Sequence, residues 1–237
     1  MAGLSAGLDL GFSVFLMAAV LSQTETVFPK PVVEFLLAGA YSIGFIFVIL
    51  GRSELFTEHT TLAVLPVLNR RANIGQLARV WGLVYISNLV GGAIVAALIV
   101  IVGEGLGVTQ PDAFRTIASN LVDHPDWVIL VSGVMAGWLM GLLSWLVTAS
   151  RDTIGQIAII LLVTVTIGLI HLHHSMAGSI EVLVGLFSGQ GITLGDYGRF
   201  LLWATIGNSV GGVVFVAGLK YGHVIRSTPD PEQVELE

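Results

Sequence analysis

The chain has 237 residues, of which 54% are hydrophobic and only 11% are charged, and its formal net charge is −6. An average soluble domain carries about 25% charged residues, so this composition excludes an ordinary soluble protein and indicates an integral membrane protein. The absence of cysteine excludes disulfides and thiolate metal sites, and an acidic balance without a basic stripe argues against a nucleic-acid partner.

Three apolar segments in the first half are close to or above the length of about 20 residues that a helix needs to cross a bilayer. We predict spans at residues 1–21, 32–50 and 78–102. Glycines recur every four residues in the first span, at Gly3, Gly7 and Gly11, a spacing that lets helices approach closely within a membrane. The first residue already belongs to this span, so a further amino-terminal segment is left open.

The second half repeats this organisation. We predict spans at residues 127–149, 154–187 and 197–221, and the fourth span again has glycines four residues apart. The connection at 103–126 is predicted to be a polar, acidic loop. Residues 223–237 form an acidic tail that we expect to be solvated and cytoplasmic.

Two of the predicted spans are interrupted by residues that lipid does not solvate. The second is broken at residues 51–60, which contain charged side chains, and helix is expected to resume over 58–68. The fifth is broken at residues 167–180, which contain His171, His173 and His174, and helix is expected to resume over 180–187. Because lipid leaves polar groups and interrupted backbone unpaired, both breaks must be buried within the protein.

A repeated motif relates the two breaks. Asn88, with two glycines three and four positions later, recurs as Asn208 with the same glycine pair 120 positions on. The same offset pairs His174 with Glu54, inside the first break.

We therefore predict an all-α membrane protein with one domain, residues 1–222, built from two three-helix repeats at 1–102 and 127–222. An odd number of spans per repeat makes the second repeat run opposite to the first. The six transmembrane helices then form two inverted repeats whose broken second and fifth helices face each other near the bilayer centre.

Basic residues near the span ends predict the orientation. Six lie on the side of the termini and three on the other, which places both termini in the cytoplasm of a cell whose plasma (inner) membrane holds the protein. The six are Arg70, Arg71, Arg79, Arg151, Lys220 and Arg226, and the three are Lys30, Arg115 and Arg199.

The residues at the breaks resemble the formate/nitrite transporter family. Residues 51–62 match the Leu-Phe-Thr loop that breaks the family's second helix, and residues 174–177 match the sequence that breaks its fifth. The resemblance covers nearly the whole chain. It implies an aquaporin-like six-helix protomer, a homopentamer with one pore per subunit, and passage of small monovalent anions such as formate or nitrite, often coupled to a proton.

The same resemblance assigns residues of the pore. His174 matches the family's central histidine, Thr57 matches its hydrogen-bonding partner, and Leu55 with Phe56 matches the hydrophobic constriction on the cytoplasmic side. An apolar narrowing refuses a bare charge, while a histidine can supply a proton or positive potential. Formate or nitrite is then expected to cross the narrowest part as a neutral acid or a transiently protonated pair.

Four further polar residues are candidates with open alternatives. Asn88 and Asn208 are expected to satisfy the backbone of the breaks, with direct substrate contact as the lesser alternative. His171 and His173 either line the pore or belong to interfaces and packing. No metal site is expected, because the break interrupts the helical face that His171 and His174 would share, and no cofactor is expected.

Three departures from the family pattern leave the substrate open. His173 stands where the family has glutamate, Gly178 stands where it has asparagine, and the lysine that usually precedes the fourth span has no counterpart except His124 in an acidic segment. Two alternatives to anion transport follow: an aquaporin-like pore for neutral solutes, and a membrane scaffold or sensor that does not transport. An enzyme is not expected, since no nucleophile, base and orienting residue occur together.

Overall fold

The computed structural model describes residues 1–219, and all regular structure in that range is helical. The acidic tail at 223–237, and Lys220 and Arg226 of the charge count, lie outside the described residues. In chain order the helices are α1 (Ala2–Thr24), α2 (Lys30–Leu50), α3 (Phe56–Leu62), α4 (Leu65–Leu68), α5 (Ile74–Gly105), α6 (Pro111–Val122), α7 (Asp126–Ala149), α8 (Thr153–Leu169), α9 (Ser175–Phe187) and α10 (Leu194–Val210), which continues as a π-helix over Gly211–Gly218.

Five helices within residues 1–219 are long and apolar enough to cross a membrane. They are α1, α2, α5, α7 and the continuous segment Leu194–Gly218. The five corresponding predicted spans are confirmed to within a few residues. The remaining predicted span, the fifth, is divided between α8 and α9, which are separated by residues 170–174.

Both breaks are shorter than the sequence predicts. Helix resumes at Phe56 rather than at residue 58, and at Ser175 rather than at residue 180. The residue before each half-helix, Leu55 or His174, is extended and forms its N-cap. The predicted single piece at 58–68 is two helices, because Pro66 has no N–H and its ring excludes a regular helical turn before it.

The predicted loop at 103–126 is wrong, because it contains helix α6. Pro111 occupies the first turn, where its missing N–H costs nothing. The apolar side chains recur at helical spacing and are buried, and α6 packs against α9, most closely at Gly185, where an added Cβ would lie 2.5 Å from the Cβ of Ala118. The acidic residues that suggested a loop, Asp112 and Asp123, lie at the two ends of α6 and are exposed.

The long helices pack in two sets. In the first, α1 packs against α2 and α5, and in the second, α7 packs against α8 and α10. Contacts between α2 and α8 join the two sets, and α9, which belongs to neither set, packs against α5.

Helix α9 occupies the centre of this arrangement. Every residue from Ser175 to Gly185 is buried, and α1, α3, α5, α6 and α10 all contact the helix. The half-helix that follows the second break is therefore enclosed by protein over residues 175–185.

The two sets are held at equivalent glycines. A Cβ added at Gly7 of α1 would lie 2.2 Å from the Asn88 carbonyl oxygen, and one added at Gly137 of α7 would lie 2.2 Å from the Asn208 carbonyl oxygen. No side chain fits at that distance, so the regular glycine spacing of the first and fourth spans serves close helix packing, as predicted.

Candidate functional site

A hydrogen bond between two buried side chains joins the two breaks. The Nε2 atom of His174, the N-cap of α9, lies 2.9 Å from the hydroxyl oxygen of Thr57 in the first turn of α3. His174 is 1% exposed and Thr57 is 0% exposed. The predicted meeting of the two breaks, and the predicted pairing of these two residues, are both present in the structure.

The second ring nitrogen of His174 fixes where the proton lies. Nδ1 accepts the backbone N–H of Ala177 at 3.1 Å, so this atom carries no proton. Nε2 is then the protonated nitrogen of a neutral ring and donates to Thr57. The imidazole therefore caps α9 with one nitrogen and bonds the opposite half-helix with the other.

Asn88 holds the first break. Its side-chain oxygen accepts the backbone N–H of Phe56 at 2.8 Å, the first residue of α3. Its amide nitrogen donates to the carbonyl oxygens of Gly3 at 2.7 Å and Glu54 at 2.8 Å. One amide thus satisfies two backbone groups that the interruption leaves without helical partners, at Phe56 and Glu54, and joins them to Gly3 of α1.

Asn208 holds the second break in the same way. Its oxygen accepts the N–H of Ser175 at 2.8 Å, and its nitrogen donates to the carbonyl oxygens of Gly133 at 2.8 Å and His173 at 2.9 Å. The predicted role of both asparagines in satisfying the breaks is confirmed by these bonds.

These bonds also correct the register between the breaks. Ser175 takes the place of Phe56 and His173 takes the place of Glu54, so the counterpart of His174 is Leu55. The pairing of His174 with Glu54 by an offset of 120 is wrong by one residue. The asparagines differ by 120 positions, but the breaks that they hold differ by 119.

Apolar side chains surround the buried bond. Leu55 and Phe56 are 0% and 3% exposed, and the Phe56 ring packs edge-on against the rings of Trp81 and Tyr85. On the other side, the Phe45 ring lies edge-on to His174 with ring centroids 5.3 Å apart. A charged species beside Thr57 and His174 would therefore find few groups to solvate it.

His173 is bonded to protein through both ring nitrogens. Nδ1 accepts from the hydroxyl of Ser132 at 2.8 Å, and Nε2 donates to the Leu121 carbonyl oxygen at 3.1 Å. The same hydroxyl accepts the His173 backbone N–H at 3.1 Å. His173 therefore ties the second break to α6 and α7, which is the packing alternative that the sequence leaves open.

His171 points to a different partner. Its Nε2 lies 3.0 Å from a carboxylate oxygen of Glu34 in the first turns of α2, and both side chains are partly exposed. The backbone of His171 has φ 50°, a left-handed conformation that turns the chain sharply after α8. The three histidines of the break thus diverge to three separate sets of partners.

Arg199 is a residue whose role the sequence reasoning missed. It donates to the carbonyl oxygens of His124 and Val122 and to the Asp126 carboxylate at 2.8 Å. Arg199 of α10 therefore places a positive charge beside residues 122–126. This is the segment before α7 in which the sequence has no counterpart of the family's lysine. The sequence offers no local signal for this contact, because 73 positions separate Arg199 from Asp126.

Glu181 is a second missed residue. It is 7% exposed in α9, and no hydrogen bond or ion pair joins its carboxyl group to any of residues 1–219. The sequence did carry a signal for it, since an ionisable residue inside an apolar segment indicates a functional site by default.

The fold and the site together define a multi-pass membrane protein whose centre is a buried polar contact between two interrupted helices. Membrane transport proteins commonly place their substrate sites at such interruptions.

The family model described as formate/nitrite transporter matches residues 1–222, and the chain belongs to this family. Its members are channels and transporters, so the chain is a membrane transport protein and not an enzyme.

Relatives and solved structures agree with this assignment. The chain is 29% identical over 235 residues to the inner membrane protein YfdC of Escherichia coli, covering 98% of this chain and 74% of that protein. It is 30% identical over 211 residues to the nitrite transporter NirC of Salmonella typhimurium, covering 87% and 77%. A pentameric formate channel with formate bound has the same fold, with a TM-score of 0.80 at 22% identity over 96% of each chain.

Proposed function

We propose that this protein is a channel-like transporter of a small monovalent anion, such as formate, nitrite or a related monocarboxylate, with a proton accompanying the anion. The observation that carries the proposal is the buried bond between His174 and Thr57, which joins the two breaks amid apolar side chains. The family membership supports anion transport, and the departures at His173 and Gly178 leave the choice of anion open.

The proposed architecture is six membrane passes in two inverted, aquaporin-like repeats. The matching bonds of Asn88 and Asn208 and the matching glycine contacts of α1 and α7 support it. We further propose a homopentamer with one pore per subunit, which the likeness to the pentameric formate channel supports. The inner membrane relative and the charge count support a plasma membrane location with both termini in the cytoplasm.

Each candidate residue has a proposed part in this passage. His174 and Thr57 contact the anion, and Leu55 with Phe56 narrows the path on the cytoplasmic side. Three residues shape the path from outside it: Asn88 and Asn208 fix the ends of the half-helices, and His173 anchors the second break. His171, paired with Glu34, lies towards the opposite mouth.

The protonation state of His174 limits how it acts. Its neutral ring offers Nε2–H and, through Thr57, a hydroxyl to a passing oxyanion. A second proton can enter the ring only at Nδ1, after the bond to the Ala177 N–H is released. Because the apolar surroundings make a bare charge costly, the species beside His174 is the protonated, neutral acid.

Transport by the purified protein in liposomes tests the proposal. We expect formate and nitrite gradients to drive uptake of the anion and acidification of the liposome lumen, both larger at lower external pH. His174→Asn removes the titratable ring and Thr57→Val removes the hydroxyl, and both are expected to lower anion-dependent proton uptake by about tenfold or more. Thr148→Val, at an exposed threonine near the end of α7, is the matched control.

Two results would contradict anion transport. Swelling of liposomes with water or glycerol that is independent of pH, without anion-dependent proton uptake, favours the neutral-solute pore. No flux of any small anion or neutral solute, together with a protein partner that co-purifies, favours the scaffold or sensor.

A further inference from the structure

Glu181 is a buried carboxyl group with no partner. Its side chain is 7% exposed and forms no hydrogen bond or ion pair within the part of the chain that the structure describes. The buried, unpaired polar atoms that are sealed from water in that part are the hydroxyls of Thr109 and Ser175, and the Glu181 oxygens are not among them. The Glu181 oxygens are therefore not fully sealed from water.

Glu181 lies in line with the candidate site. Glu181 follows His174 by seven residues, which is two helical turns, so both project from one face of α9 about 10 Å apart. Tyr41 of α2 is buried and lies in the vicinity of Glu181. The Tyr41 ring packs on Phe45 at 5.0 Å, and Phe45 packs on His174 at 5.3 Å.

No cation on the surrounding helices neutralises Glu181 among residues 1–219. The buried faces of α1 and α6 contain no ionisable side chain. From α5 and α10 the nearest titratable groups are Tyr85, bonded to Thr205, and Tyr197, bonded to Ser179. Helix α3 contributes half-buried Glu58 and His59, and α9 itself begins at His174.

A lone carboxylate in such a place is costly. Burial of an ionised group without a partner costs several kcal/mol or more, and a fixed negative charge beside the path would repel an anion. A carboxylic acid avoids both effects and can donate a hydrogen bond to an oxyanion. His174 is less free to deliver a proton, because its Nδ1 is committed to the Ala177 N–H.

We propose that Glu181 is a proton-carrying residue of the passage, which protonates the anion before the anion reaches His174. This role rests on the anion transport proposed above. The O–H bond of the Glu181 acid breaks, an O–H bond forms on the formate or nitrite oxygen, and the neutral acid moves on. The remaining carboxylate recovers a proton from hydronium in the adjoining water, so one proton crosses with each anion.

Tyr41 positions this group. Its hydroxyl has no hydrogen-bond partner among residues 1–219, so it is free to bond either Glu181 or the anion. Tyr41→Phe keeps the ring that packs on Phe45 and removes only this hydroxyl, and it is expected to weaken proton uptake less than Glu181→Gln.

The test compares Glu181→Gln with Glu104→Gln in liposomes. Glutamine keeps the size of the side chain and removes its proton, while Glu104 is an exposed carboxylate at the end of α5 and serves as the matched control. We expect Glu181→Gln to lower formate-driven proton uptake about tenfold or more and to flatten its dependence on external pH. Glu104→Gln should match the wild type, and Glu181→Asp should recover part of the lost uptake.

Infrared spectroscopy gives a readout that does not depend on transport. The wild type and Glu104→Gln should show the C=O stretch of a protonated carboxyl group that responds to formate, and this response should be absent in Glu181→Gln. Wild-type formate transport and pH dependence in a folded Glu181→Gln would overturn the role of Glu181 and leave anion transport standing. A wild type without uptake of formate or nitrite would overturn anion transport itself, and ammonium flux lost in Glu181→Gln would assign Glu181 to a cation path.

Discussion

Asn88 and Asn208 each bond three backbone groups where a helix is interrupted within the protein. The side-chain amide suits this position because it offers an acceptor on one atom and two donors on the other. Aspartate would present acceptors to two carbonyl oxygens, and alanine would leave the N–H and C=O groups of the break itself without a partner. A buried backbone group without a partner costs about 1–3 kcal/mol.

Asn208→Ala should therefore lower the free energy of unfolding by about 3 kcal/mol or more. Thermal unfolding in detergent, followed by intrinsic fluorescence, measures the change. Asn120→Ala is the matched control, because Asn120 is half-buried on α6 and its side chain makes no hydrogen bond among residues 1–219. Equal midpoints for the two variants would show that the asparagine bonds do not hold the break.

The sequence located the central contact but few of its surroundings. His174 and Thr57 were found through motifs that resemble a family, and the asparagines through their repetition. The partners of His173 and His171 lie 41 and 137 positions away, and no local pattern predicts contacts at such separations. Glu181 was visible in the sequence, but it was counted as part of an apolar span.

At the scale of the helices, the close approach of two helix backbones allows only glycine at the point of contact. Gly137 of α7 meets the backbone of Asn208 on α10, and Gly7 of α1 meets Asn88 on α5, so each bond network is held against a neighbouring helix that has no side chain at the contact. Displacement of these helices would shift the asparagines and, through them, the ends of α3 and α9.

Gly137→Ala is expected to disrupt the packing of α7 on α10, because its Cβ would lie 2.2 Å from the Asn208 carbonyl oxygen. We expect low yield, or a lower unfolding temperature for the protein that is recovered in detergent. Gly39→Ala in α2 is the control, since nothing lies within 4 Å of its added Cβ. That change should be neutral or stabilise by up to about 1 kcal/mol through helix propensity. Similar losses in both variants would refute the packing role of Gly137.

Helix α6 was predictable from the sequence and was missed. Phe114, Ile117, Ala118 and Leu121 recur at helical spacing after Pro111, which is typical of an amphipathic helix. The acidic residues at its ends outweighed this pattern in the prediction of a loop. The early starts of α3 and α9 were not predictable in this way, because they depend on distant asparagines that accept the first N–H groups.

At the scale of the whole molecule, the orientation in the membrane is open to a direct test, because the chain contains no cysteine. Single cysteines introduced by Arg71→Cys and Glu104→Cys lie near opposite ends of α5, at exposed positions. In intact cells a membrane-impermeant maleimide should label Glu104→Cys, and Arg71→Cys should be labelled only after the membrane is opened. The reverse pattern would place both termini outside the cytoplasm.

Helix α9 also constrains how the protein is made. With 13 residues it is too short to cross a bilayer alone, and residues 175–185 present no surface to lipid. One of the helices that enclose it, α10, is synthesised later. When α9 is synthesised, the set of helices that encloses it is therefore incomplete. A nascent chain that stops before residue 194 should be recognised as incomplete and degraded by membrane quality control.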